Sequence, residues 1–255
     1  MIKRYATNVR PPRDGLNSKN RHRLAPLRDE HNLTRLFLLP GKIRKEVASR
    51  SPVNRRDALL MQHAVALSVL TFAPVRIGNL SRLHVTNDLR WSALSGRGQL
   101  VLDIDGAEVK NGQTLSFPLP ADCADLIKLY IAKYRPLLTA GPNPFLFPSD
   151  DPDKPKRADT LGKQLSRLIR QSIGLEVNPH LYRHLVHLVV LSRFPGAYAM
   201  ISRILGHKSL QTAISNYAGE DIAIAMRAYQ QLIADATSGR ERKQRPADVA
   251  FDLNR

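Results

Sequence analysis

A mainly α-helical fold carrying one small three-stranded antiparallel β-sheet is what this sequence predicts, on three observations. After Asn54 apolar residues recur at helical spacing, or all round a helix, through long stretches. Between Gln99 and Pro120 the pattern changes. The stretch "QLVLDIDGAEVKNGQTLSFPLP" is rich in strand formers and holds two turn dipeptides, Asp105-Gly106 and Asn111-Gly112. Helical patterning then returns and continues to about Thr237.

The elements follow in order. Residues 1–50 carry 13 Lys and Arg against 4 acids, and "RPPRDGLNSKNRHR" reads as an extended basic arm. "NLTRLFLLPGKI" adds one short helix that Pro40-Gly41 should stop. Alone, this region is too small and polar for a second core. "RRDALLMQHAVALSVLTFA" is apolar all round, so it reads as a buried helix ending near Pro74, with a short helix "IGNLSRL" close behind. The β region reads as a meander with strands near 99–104, 107–110 and 113–118. "ADCADLIKLYIAKYRPLL" is a helix, residues 139–157 a loop, and "ADTLGKQLSRLIRQSIG" an amphipathic helix closed by Gly174. A further helix begins near Pro179. "GAYAMISRILGH", "SLQTAISNYAG" and "EDIAIAMRAYQQLIADAT" read as three more, before a basic tail, "SGRERKQRP". The expected organisation is a basic arm at 1–53, one main domain at 54–236 and a basic tail at 237–255.

Charge narrows the function. In the chain of 255 residues, 39 Lys and Arg stand against 22 Asp and Glu, a net charge of +17. Such an excess favours a polyanionic partner, because each neutralised phosphate releases a condensed counterion. One cysteine, Cys123, excludes a disulfide framework and a cysteine-based zinc finger. No apolar run reaches the length of a membrane span, and "MIKRYATNVRPPRDG" has no apolar core of a secretory signal. A reducing cytoplasmic setting, away from membranes, is the expectation.

"PHLYRHLVHL" gathers His180, Arg183, His184 and His187 on one helical face at i, i+3, i+4 and i+7. His180 and His184 have the spacing of a zinc-binding helix. Leu181 stands where such a helix has its glutamate, no third ligand is nearby, and Arg183 would repel a divalent metal. No metal or cofactor is therefore expected, and His184 and His187 read as structural. A phosphate suits His180 and Arg183 better. A guanidinium offers a rigid fork of donors, and a histidine can move a proton near neutral pH. Matching groups lie elsewhere: Arg76 at a helix start, Lys110 beside a tight turn, His207 just after Gly206, and Tyr217 ten residues on. Taken singly each has a plain reading. Arg76 could cap a helix, Lys110 could be an edge-strand lysine, and Tyr217, like Tyr198 and Tyr229, could pack at a helix end.

In this order, Arg76, Lys110, His180, Arg183, His207 and Tyr217, the chain resembles the tyrosine recombinase (phage integrase) family over roughly residues 54–235. "LGHKS" followed at this distance by a tyrosine is the most specific single match. The resemblance implies a tyrosine recombinase catalytic domain acting on double-stranded DNA. Tyr217 would attack the scissile phosphate to give a 3′-phosphotyrosyl link. Arg76 and Arg183 would clamp the phosphate, and Lys110 would protonate the leaving 5′-oxygen. His180 would assist proton transfer, and His207 would hydrogen-bond the phosphate. It also implies a homotetramer on DNA, with accessory DNA-bending proteins in some systems, and no cofactor. Lys42, Arg44, Lys45, Arg55, Arg56 and Lys163 are candidates for the DNA backbone. The sequence departs from the family at Asn79, where an acid is common, at Tyr182 for Leu, at Leu185 for Thr, and in an N-terminal part of only about fifty residues. Two other readings remain: a type IB topoisomerase with the same chemistry, and a truncated or inactive DNA-binding member of the fold.

Overall fold

The computed structural model describes residues 18–92, 99–109, 112, 114–194, 196–207, 229, 230 and 233. The expected basic arm before Ser18, the helix expected over "SLQTAISNYAG", and the tail lie outside the described residues. So do Lys110 and Tyr217. Tyr229, Gln230 and Ile233, within the last expected helix, are helical.

The long buried helix is α3, Arg55–Phe72. Its start is fixed by a reciprocal cap: the Asn54 side chain accepts from the Asp57 amide at 3.0 Å, and the Asp57 carboxylate accepts from the Asn54 amide at 3.2 Å. Arg50 closes the cap from outside by pairing with the buried Asp57 at 2.7 Å. Met61, Ala64, Val65, Leu67 and Val69 of α3 are fully buried, which matches a helix apolar all round.

In front of it stand α1, Ser18–Leu24, and α2, Glu30–Ala48. Here the structure corrects the sequence reading, because α2 runs straight through Pro40 and Gly41 over 19 residues. Proline inside a helix costs about 3 kcal/mol. Leu36, Leu39, Pro40, Ile43 and Val47 are all buried in the core shared with α3, at about 1.5–3 kcal/mol for a large apolar side chain, so packing outweighs the break.

The sheet has three antiparallel strands in the order β1-β2-β3, as expected in kind: β1 Leu89–Ser92, β2 Gln99–Ile104 and β3 Leu115–Leu119. Two details differ. The first strand is "LRWS", whose pattern is too short to read alone. It is held by the pairing Leu89↔Leu102 and by an ion pair between Arg90 and Asp103. Residues 107–110 form no strand among those described. Instead Asp105 caps a single tight turn, Gly106–Glu108, by accepting from the Ala107 amide at 2.8 Å. A Cβ at Gly106 would come within 2.8 Å of the Gly112 carbonyl oxygen, so the turn needs glycine for close approach rather than for a hairpin of the expected type.

After β3 comes α5, Ala121–Leu129, which stops short of the Leu138 that its sequence predicts. The chain loosens into one wide turn at Tyr130–Tyr134 and a tight one at Arg135–Leu138. The buried Tyr130 hydroxyl donates to the Leu146 carbonyl and accepts from Gln62, both at 3.1 Å. The remaining described helices are α4 Ile77–Ser81, α6 Ala158–Ile173, α7 Pro179–Arg193 and α8 Tyr198–Leu205. α6 ends at Gly174 in the left-handed conformation, φ 74°, as its sequence predicts. α7 begins with Asn178 accepting from the Leu181 amide, and Pro179 fills the first turn. No helix among the described residues is long and apolar enough to cross a membrane.

Candidate active site

Four of the six sequence-predicted residues are described, and three chain segments bring them to one place. Arg76 is the cap residue of α4, where the chain turns after the buried Pro74 and Val75. His180 and Arg183 lie in the first two turns of α7. His207 follows α8, held by Gly206.

That last placement is sterically exacting. Gly206 has φ 59°, the left-handed region, and a Cβ there would sit 2.5 Å from Leu115 Cδ2. The left-handed backbone favours glycine, and its missing Cβ leaves room for Leu115 where α8 ends against β3. The His207 amide then donates to the Ser202 carbonyl at 2.9 Å, which sets the backbone from which the imidazole projects.

Arg183 is the centre of the cluster. It is 7% exposed, yet it forms no ion pair with a carboxylate among the described residues. Nη1 donates to the Pro74 carbonyl and Nη2 to the Leu205 carbonyl, each at 2.8 Å. Nη2 also lies 3.5 Å from His207 Nε2. One guanidinium thus ties together the turn before Arg76, helix α7 and the end of α8. Burial, and then the charge of Arg76, pull its pKa down to about 10. It remains a cation at neutral pH.

The same two arginines act on the histidines. His180 is held below the ordinary imidazole range by burial, then by Arg183 and Arg76. His207 is lowered by burial and the same two charges. Each of these causes places the four groups in one electrostatic neighbourhood. Because no carboxylate pairs with either arginine among the described residues, the cluster is an uncompensated positive site. An uncompensated buried cation is costly, and an anion would relieve that cost.

Asn79, three residues after Arg76, is buried, and its Nδ2 has no hydrogen-bond partner among the described residues. A neutral side chain at this place leaves the positive field unreduced. Tyr182 and Leu185 both pack in the core beside Arg183, so these two departures are changes of packing.

Beside the cluster, an open groove of about 770 Å³ runs between α6 and the start of α7. Its lining includes Lys163, Arg167 and Arg170 from the exposed side of α6, together with Asn178 and His180. The opposite side of α6 buries Leu161, Leu165, Ile169 and Ile173. Lys163 is among the sequence candidates for DNA contact. Arg167 and Arg170 are not, although their spacing of four and seven residues from Lys163 puts them on the same helical face. Of the other surface candidates, Arg55 is engaged at 2.6 Å with Asp150. His184, read as structural, has its Nε2 3.2 Å from His180 Nε2. His187 lies 3.3 Å through Nδ1 from the Arg183 carbonyl and is pushed to about 4, chiefly by burial. No cluster of three or more metal-ligating side chains occurs among the described residues.

Known proteins resemble this chain in fold and in family. The XerH site-specific recombinase bound to its difH substrate in a pre-cleavage complex superposes with a TM-score of 0.51 at 19% identity, covering 69% of this chain and 48% of that one. The XerA recombinase gives a TM-score of 0.53 at 21% identity, covering 80% of this chain and 62% of that one. This chain therefore spans about half to three-fifths of the length of these structures. No curated protein matches it in sequence. The profile of the phage integrase family matches residues 45–222, well over half of the chain. The chain belongs to the phage integrase family, with the mainly helical fold and small antiparallel sheet of the tyrosine recombinase catalytic domain.

Proposed function

We propose that this chain is the catalytic part of a site-specific DNA recombinase that cleaves and rejoins strands through a 3′-phosphotyrosyl intermediate. The observation that carries the reading is the arginine-histidine cluster: Arg76, Arg183, His180 and His207 converge with no carboxylate paired to either arginine among the described residues. Such a cluster fits a phosphodiester whose transition state carries added negative charge on its non-bridging oxygens.

In this reading the Tyr217 oxygen attacks phosphorus, forming one P–O bond as the bond to the 5′-oxygen breaks. Lys110 gives its proton to that leaving oxygen, and His180 takes the proton lost by the tyrosine. Arg183, held rigidly by two carbonyls, and Arg76 stabilise the pentacoordinate phosphorus. His207 adds a further hydrogen bond. The covalent link conserves the energy of the phosphodiester, so rejoining needs no nucleotide cofactor.

The partner is double-stranded DNA. Lys163, Arg167 and Arg170 along the groove meet its backbone, and four protomers act on two sites, with DNA-bending proteins assisting where the sites demand it. The catalytic unit is residues 54–236, flanked by basic segments at 1–53 and 237–255, with α2 packed on the unit. The test is covalent trapping. The protein is incubated in EDTA with a nicked suicide duplex drawn from DNA around its own gene. A shifted band on a denaturing gel that disappears in Tyr217→Phe is the expected result. An adduct that survives this substitution overturns the assignment.

A further inference from the structure

His184 stands outside the six residues assigned above, yet it is the side chain that touches His180. We propose that His184 is a positioning residue that fixes which nitrogen of His180 carries the proton. This rests on the reading of His180 as a proton-transfer group.

The two residues are one helical turn apart on α7, their rings meet edge to face with centroids 4.7 Å apart and planes at 89°, and their Nε2 atoms are separated by 3.2 Å. Two imidazole nitrogens at that distance share one proton, one donating and the other accepting. A neutral imidazole carries a single N–H, so the choice made at Nε2 decides the state of Nδ1. When His180 Nε2 donates to His184 Nε2, His180 Nδ1 is left with a lone pair and can take a proton. In the opposite arrangement His180 Nδ1 is a donor and cannot act as a base.

The first arrangement is the one the proposed proton transfer requires, and burial with the charged groups around the pair keeps it neutral. Arg183 and His187 face the pair from their own helix and Arg76 from the start of α4, while His207, at the end of α8, meets Arg183 at 3.5 Å. Across the groove stand Lys163, Arg167 and Arg170 of α6 with Asp159 and Glu176. The two arginines, after burial, keep His180 neutral and so limited to a single N–H. His184 itself is kept neutral, pushed to about 3 by burial and then by His180, His187 and Arg183. It therefore offers a lone pair without adding or removing charge. When His180 takes a proton in the reaction, its Nε2–H keeps the same acceptor, so the imidazolium forms without a partner having to move.

The test uses the whole chain with nitrogen-15 labelled histidine. Long-range proton–nitrogen correlation should show His180 as the Nε2–H form, with a nitrogen–nitrogen coupling to His184 across the shared proton. His184→Gln, whose side-chain oxygen can accept the same bond, should preserve that form; His184→Ala should shift it toward a mixture. In single-turnover cleavage, His184→Ala should lose about tenfold in the rate of adduct formation at unchanged DNA affinity, and His184→Gln should recover to within about threefold. An Nδ1–H form in the unsubstituted protein, or an identical form in His184→Ala, overturns the proposal. The spectra report on His184 even if no adduct forms, so failure of the recombinase reading is seen separately.

Discussion

Two sets of basic residues in this molecule do different physical work. Arg183 is buried and held at 2.8 Å by two carbonyls from segments 109 and 22 residues away in sequence. Lys163, Arg167 and Arg170 lie along the outer face of α6 and line a groove. A desolvated, fixed cation can stabilise charge that develops at one point, because nothing need reorganise when the charge appears. Hydrated cations on a surface supply affinity that salt screens. On the proposed function the contrast separates turnover from binding, and it can be broken at either end.

The largest effect is expected at the buried end. Arg183→Ala should lower the rate of strand cleavage at saturating DNA by about 10²–10³-fold. It should also destabilise the fold, because stranding the Pro74 and Leu205 carbonyls costs about 1–3 kcal/mol each. Single-turnover cleavage and thermal melting read the two consequences separately. Near-normal cleavage in this variant would collapse the distinction.

The next effect lies at the exposed end. Replacing Lys163, Arg167 and Arg170 together with alanine should flatten the dependence of log K on log salt, by up to about 0.9 for each phosphate no longer neutralised. Cleavage at saturating DNA should stay close to normal. A loss of turnover at saturation would place these residues with the site rather than with the groove.

A smaller effect follows from pH and sharpens what burial means here. His63, His184 and His187 are held near 4, 3 and 4, mainly by burial. Their unfolded value is about 6.5. Between these limits the unfolded chain binds more protons, so stability is fully present above about pH 6.5 and falls as pH drops toward 4. Chemical denaturation at pH 7.5 and 5 checks the sign. His63→Gln, which keeps a polar group facing Gln164, should reduce the difference.

The smallest effect belongs to Arg55. Its pair with Asp150 is exposed at both ends, 57% and 91%, so Arg55→Ala should change stability by less than about 1 kcal/mol. The salt dependence of DNA binding should change little, since Arg55 does not line the groove along α6.

What can be read from the sequence divides along a similar line. α3, α6 with its Gly174 stop, α7 and the Gly206 cap before His207 are all legible, because each rests on local spacing and local backbone freedom. Helix α2 is misread at Pro40, where packing on α3 overrides a local breaker. β1 escapes notice because four residues become a strand only through pairing with β2. At the site, His180, Arg183, Arg76 and His207 are legible as residue types in order. The anchoring of Arg183 on two carbonyls is not, since it depends on groups far apart in the chain. Neither is the edge-to-face meeting of His184 with His180: the spacing allows it, but only side-chain rotation makes it.

The central claim is that this positive cluster serves a tyrosine nucleophile at residue 217. Digesting the trapped protein–DNA adduct and sequencing the modified peptide by mass spectrometry tests it most directly. A single nucleotide-bearing peptide, with the added mass carried on Tyr217, is the predicted result. The nucleotide on Tyr198 or Tyr229 would contradict it.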